Sequence, residues 1–167
     1  PYQKKSTNLD QKFIGHGYGE FYEKYLNIFK DKKINILEIG TWKGASVAAF
    51  YHYFKKAIIF CIDKNFKFQF KSNRVNFFKC DTEKFNEVND FNNYLKGKKI
   101  DYFDVIIDDG SHKYQDILNN FQRFFKRIKT GGYYIIEDFK HHKLHPNYAN
   151  DAPSNSTDID EILLNLN

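Results

Sequence analysis

Five short apolar runs, each closing on an acid or a glycine and separated mostly by segments of helical spacing, constrain this chain more than any other feature. The runs span residues 34–40, 57–63, 75–81, 103–108 and 133–137. Between and before them the apolar residues recur every three or four positions. Tyr18, Phe21, Tyr22, Tyr25 and Phe29 form one such stripe, and a helix is expected from Gly44 to Phe54. Phe85, Val88, Phe91, Tyr94 and Leu95 mark another over 83–95, and Tyr114, Ile117, Leu118, Phe121, Phe124, Phe125 and Ile128 a third over 113–128. Thr130-Gly131-Gly132 reads as the turn into the last strand. Strands alternating with helices mean βαβ units and a parallel sheet, and right-handed crossovers make it a doubly wound α/β layer. Such sheets bind ligands outside the carboxyl ends of their strands, where all five runs place an acid or a glycine.

The fourth and fifth strands crowd that rim with charge. One runs into Asp108-Asp109-Gly110-Ser111-His112, the other into Glu137-Asp138. Four like charges at one edge call for a cation, and His112 is placed to act as a base. Carboxylates are hard oxygen donors suited to Mg²⁺ or another divalent cation. The same residues also suit a plain turn and helix cap, so a structural reading of Asp108-Asp109-Gly110-Ser111 stays open. Glu137 and Asp138 are adjacent, so both can reach one ion only if the strand has ended before them.

At 167 residues the chain is long enough for one domain with a core and too short for two. Its expected organisation is a polar lead-in over 1–17, one domain over 18–150, and a linker with a short final helix over 151–167. The net charge of +5 is spread over dispersed lysines, which argues against a dedicated nucleic-acid surface and is compatible with an anionic small substrate. Cys61 and Cys80 are too few for a disulfide framework, so they are expected to be inert core residues in a reducing, cytoplasmic compartment. Apolar runs of about 5–8 residues are far short of a bilayer-crossing helix. His141, His142 and His145 cluster after the last strand, but Lys143 and Pro146 intervene and no cysteine is near, so a loop over the substrate pocket is favoured over a zinc site.

The first strand enters Glu38-Ile39-Gly40-Thr41-Trp42-Lys43-Gly44, a glycine loop opening a helix. Glycines let backbone pass close to a ligand, and the helix start offers free N–H groups. A dinucleotide fingerprint needs a third glycine, and Glu38 would repel a pyrophosphate, so a nicotinamide enzyme is disfavoured. Asp63, ending the second strand, is placed for ribose hydroxyls, and Asp81, ending the third, lies where a base could sit.

These residues together resemble the class I S-adenosylmethionine-dependent methyltransferases, over roughly residues 34–138. The resemblance implies their Rossmann-like fold, S-adenosylmethionine as cofactor, and Glu38, Gly40, Gly44, Asp63 and Asp81 as its binding residues. The second half resembles the metal-dependent sugar O-methyltransferases of macrolide biosynthesis, which share the Asp-Asp-Gly-Ser-His segment and the Glu-Asp pair. That likeness implies Asp109, Glu137 and Asp138 as ligands of Mg²⁺ and His112 as catalytic base, with a sugar or nucleotide sugar as acceptor. His16-x-Tyr18-x-x-x-Tyr22 looks like that family's lead-in, which lies near the active site. A cephalosporin-hydroxylase-like group carries a similar segment, so the motif does not name one substrate. An amine or phosphate-bearing acceptor, or a silent nucleoside-binding module, remains an alternative. Methyltransferases of this class add two strands after the fifth; none is visible here, so the chain is expected to be trimmed or reduced. The sheet edge would then be open to pairing with another copy.

Overall fold

The computed structural model describes residues 18–139 and 159–164. A first helix, α1 (Tyr18–Leu26), passes through a 3₁₀ turn (Asn27–Phe29) into β1 (Asn35–Ile39), followed by α2 (Ala45–Tyr53), β2 (Ile58–Asp63) and β3 (Val75–Lys79). Then come α3 (Phe85–Gly97), β4 (Phe103–Asp108), α4 (Tyr114–Phe124), a 3₁₀ turn (Phe125–Arg127), β5 (Ile128–Ile136) and α5 (Ile159–Leu164). The sheet order is β3-β2-β1-β4-β5, with every neighbouring pair parallel. The chain moves outward from β1 to β3 and then crosses to β4, so strand order reverses between β1 and β4. That reversal opens the crevice at their carboxyl ends.

Strand alternation divides the core into two layers. Ile36, Ile59, Cys61, Val105 and Ile107 face Tyr22, Leu26, Val47, Phe50 and Phe54 from α1, α2 and the turn after it. Leu37, Ile39, Phe60, Ile62 and Ile106 face Val88, Phe91 and Leu95 of α3 and Phe124 of α4. Helices thus cover both sheet faces, as the doubly wound reading requires. On α1 the buried side is set by Tyr22, Leu26 and, beyond it, Phe29, while Phe21 stays 45% exposed and leans on the Tyr25 ring at 4.7 Å.

Three expected boundaries move, each for a local reason. The helix expected over 83–95 (α3) begins at Phe85 rather than 83, because Asp81 first closes a turn: its carbonyl accepts from the Lys84 N–H at 3.0 Å and its carboxylate from the Glu83 N–H at 3.2 Å. The next helix tightens to 3₁₀ after Phe124 instead of running to 128. Thr130-Gly131-Gly132 is not a turn before β5 but a bulge inside it. The pairing jumps from Phe103↔Ile128 to Val105↔Tyr133, Gly131 has φ +81°, and a Cβ on Gly132 would sit 2.5 Å from the Asp104 carbonyl oxygen. The cluster at 141–145 and the stretch 151–157 lie outside the described residues. Of the expected last helix, Ile159–Leu164 is described, and Ile162 packs beside Tyr114, Ile117 and Leu118.

β1 and β4 are tied at their tips. The Asp109 N–H donates to the Ile39 carbonyl at 2.9 Å, and Gly40 turns over the Asp109 backbone with φ +88°. A Cβ there would lie 2.2 Å from the Asp109 carbonyl oxygen. Gly40→Ala is therefore expected to lower unfolding free energy by about 3 kcal/mol or more in urea titrations. Gly97→Ala, in the last turn of α3 with open space around it, should be neutral or stabilising by up to about 1 kcal/mol.

Beneath the tie lies a buried polar pair. Asp108 is 2% exposed, and its carboxylate accepts from Asn120 Nδ2 at 3.1 and 3.2 Å and from the Gly110 N–H at 3.3 Å. Burial outweighs these donors and pushes its pKa up to about 7. A folded pKa above the unfolded value means that the folded state binds the proton more tightly. The stability contributed by this carboxyl is then fully present below about pH 4 and is lost as pH rises through about 7. In metal-free protein, Asp108→Asn should raise the urea midpoint at pH 8 while changing it little near pH 4; equal shifts at both would contradict this assignment.

Candidate active site

A cleft of about 740 Å³ opens over the carboxyl ends of β1, β2 and β4. Its nucleoside-like half is built by the glycine loop. Gly40 extends the β1–β2 ladder by one bond, its N–H donating to the Ile62 carbonyl at 2.9 Å. Asp63 then clamps the loop: one carboxylate oxygen accepts from the Trp42 N–H at 2.7 Å and the other from the Asn65 N–H at 2.7 Å. Trp42 is held at φ 43°, 55% exposed, with the Lys43 ammonium 4.1 Å from its ring centre. Asp81 lines the far wall beside Cys80.

Gly40, Asp63 and Asp81 thus share the cleft, whereas Glu38 and Gly44 do not line it. Glu38 is completely buried in β1, opposite Cys61 and Ile107 on the face covered by α1 and α2. Gly44 caps α2 in a left-handed conformation, φ 72°, where a Cβ would press on the Phe68 ring at 3.0 Å. Its contribution is to the backbone path. Cys61 and Cys80 are free and buried, and burial raises both thiols, Cys80 to about 11. Neither is poised as a nucleophile.

The charged half sits on the tips of β4 and β5. Asp108 points into the core, and Asp109 points into the cleft. Ser111 donates its hydroxyl to Asp116 and accepts from the Lys113 N–H at 3.3 Å, which secures the start of α4. The turn chemistry is therefore carried by Asp108, Gly110 and Ser111, leaving Asp109 and His112 on the cleft. His112 has φ 59°, a conformation unusual for a side-chain-bearing residue. Its Nε2 lies 3.9 Å from an Asp109 oxygen, too long for a hydrogen bond.

β5 ends at Ile136, and Asp138 takes φ 52°, so the strand alternation stops before the acid pair. The two carboxylates still part company. Asp138 is exposed and turns toward Asp109 and His112; one ligand atom from each of the three lies within 4.8 Å of the others. Glu137 is 4% exposed and accepts a hydrogen bond from the Tyr22 hydroxyl inside the wall. Tyr18, one turn earlier, donates to Asp138 Oδ1 at 2.5 Å. The hydrogen bond to Asp138 is the main reason Tyr18 is pushed up to about 12, and burial followed by the charge of Glu137 raises Tyr22 further. Both remain donors at neutral pH.

The expected metal set was Asp109, Glu137 and Asp138 with His112 apart as base. The structure brings together Asp109, His112 and Asp138 and sets Glu137 one layer behind. Two carboxylates at this spacing suit a divalent cation, with the imidazole beside them. Asn120 was missed by sequence reading: it lines the cleft at 2% exposure, and its Oδ1 is buried without a hydrogen-bond donor. The available signal was a polar residue inside the apolar stripe of Ile117, Leu118 and Phe121.

The fold has known counterparts. Demethylmacrocin O-methyltransferase of Streptomyces fradiae is 26% identical over 131 residues, 74% of this chain and 32% of that protein. L-olivosyl-oleandolide 3-O-methyltransferase of Streptomyces antibioticus is 30% identical over 135 residues, 75% of this chain and 32% of that protein. The chain thus spans about a third of the length of these curated relatives. Among solved structures, the MycE methyltransferase from the mycinamycin biosynthetic pathway, in complex with Mg and SAH, superimposes with a TM-score of 0.73 at 20% identity. That match covers 95% of this chain and 46% of MycE, and it establishes a shared fold. Residues 37–139 match the family described as "Methyltransferase domain", which is more than half of the sequence, and the chain belongs to that family.

Proposed function

We propose that this chain is an S-adenosylmethionine-dependent, divalent-cation-dependent O-methyltransferase acting on a sugar or glycoside hydroxyl, as in surface-polysaccharide or natural-product synthesis. One observation carries the reading. The Asp109, His112 and Asp138 side chains converge at the mouth of the same cleft that Gly40, Asp63 and Asp81 line. The sugar-methylating names of the similar proteins support the acceptor class.

The donor set fits both groups. Gly40 presents its backbone to the cleft, Asp63 retains acceptor capacity for a diol, and Asp81 can accept from an exocyclic amine. Asp109 and Asp138 would hold Mg²⁺, with Glu137 behind them. When bound, S-adenosylmethionine supplies an electrophilic methyl group, and the cation supplies positive charge that makes a nearby hydroxyl more acidic. The residues of this chain then orient the acceptor and remove its proton. His112 is the base: it is exposed on the cleft, next to the carboxylates, and its strained backbone directs the ring there rather than along α4. No helix among the described residues is long and apolar enough to cross a membrane, and the free, buried cysteines fit a reducing cytoplasm.

His112→Ala should lower turnover about 10²–10⁴-fold with affinity for S-adenosylhomocysteine unchanged. Asp109→Asn, or removal of Mg²⁺ with chelator, should abolish turnover on sugar acceptors. Calorimetry with S-adenosylhomocysteine is the primary check: absence of binding at high micromolar concentration would sink the cofactor assignment. Binding without transfer to any sugar, amine or phosphate-bearing acceptor would instead mark a silent nucleoside-binding module.

A further inference from the structure

Tyr18 and Tyr22 stand 120 and 115 residues before the carboxylates they contact. They are four residues apart on α1, so they project from one face, one turn from each other. Asp138 and Glu137 are consecutive, and the left-handed turn at Asp138 aims one outward and one inward. A helical step of four therefore matches a step of one at the strand tip. Both contacts are hydroxyl-to-carboxylate bonds, the stronger kind. The Tyr22 ring is fixed edge-on against Phe50, 5.6 Å between centres, so its hydroxyl has a set position.

On the reading that Asp109 and Asp138 hold a divalent cation, we propose that Tyr18 and Tyr22 are positioning residues through which docking of α1 and binding of the cation strengthen each other. Tyr18 fixes the Asp138 carboxylate in the orientation that faces Asp109. Tyr22 anchors Glu137 within the wall and so fixes the turn that presents Asp138. A carboxylate already oriented loses less freedom when an ion arrives, and partners of this kind carry much of a site's affinity. Coupling is reciprocal, so a bound ion must also hold α1 more firmly.

The experiment is a Mn²⁺ titration followed by the electron-spin resonance of the free ion, combined with hydrogen exchange of the α1 amides. Tyr18→Phe and Tyr22→Phe keep the rings and remove only the hydroxyls; Tyr25→Phe, on the same helix, is the control. The two test variants should weaken Mn²⁺ binding about 10-fold or more, with affinity for S-adenosylhomocysteine unchanged and the control unaffected. Mn²⁺ should slow α1 exchange in the unsubstituted chain, and this slowing should vanish in the double variant. Unchanged Mn²⁺ affinity in both variants overturns the proposal, as does a parallel loss of S-adenosylhomocysteine affinity, which marks general loosening. Failure of the unsubstituted chain to bind Mn²⁺ overturns the cation reading itself and the proposal with it.

Discussion

The site depends on the tie between the carboxyl ends of the neighbouring strands β1 and β4. The Ile39 carbonyl takes the Asp109 N–H at 2.9 Å, and Gly40 passes so close to the Asp109 carbonyl that no side chain fits between them. This contact lays the glycine loop directly against the loop that carries Asp109 and His112. Without it, the nucleoside-like half and the charged half would sit on separate strand ends. With it, they share one cleft whose walls are fixed by sheet hydrogen bonds rather than by mobile side chains.

Four carboxylates at one rim would repel each other, and the fold separates them by burial and partner. Asp108 goes down onto Asn120 and is held near neutral by desolvation. Glu137 goes inward onto Tyr22. Asp109 and Asp138 remain beside each other and His112, one ligand atom of each within 4.8 Å of the others. The backbone makes this sorting possible: His112 and Asp138 both adopt positive φ, which breaks the helical and strand periodicities that would otherwise aim them elsewhere.

The parallel sheet, its two covered faces and the side of the sheet that bears the site were legible because strand and helix periods differ and the acids recur at strand ends. Of the two adjacent acids, the resemblance named Asp109, which lines the cleft, while Asp108 is buried beneath it. The division of Glu137 from Asp138 was not legible, since it depends on a left-handed residue that no local pattern marks. Glu38 shows a different limit. Its place in the motif suggested the cleft, but strand parity turns it to the α1 and α2 face. The bulge at Gly131 and Gly132 was read as a turn because glycine pairs serve both purposes, and only the β4 register distinguishes them. Asn120 stayed hidden because a helical stripe reports burial and not what lies beyond it.

The central claim is that the tips of β4 and β5 form a divalent-cation site within the cofactor cleft. A crystal of this chain grown with S-adenosylhomocysteine and Mn²⁺ tests it through the anomalous signal of manganese. The account predicts one peak in contact with Asp109 and Asp138, beside a nucleoside lying across Gly40, Asp63 and Asp81. A nucleoside in the cleft with manganese bound elsewhere, or with none bound, would contradict it.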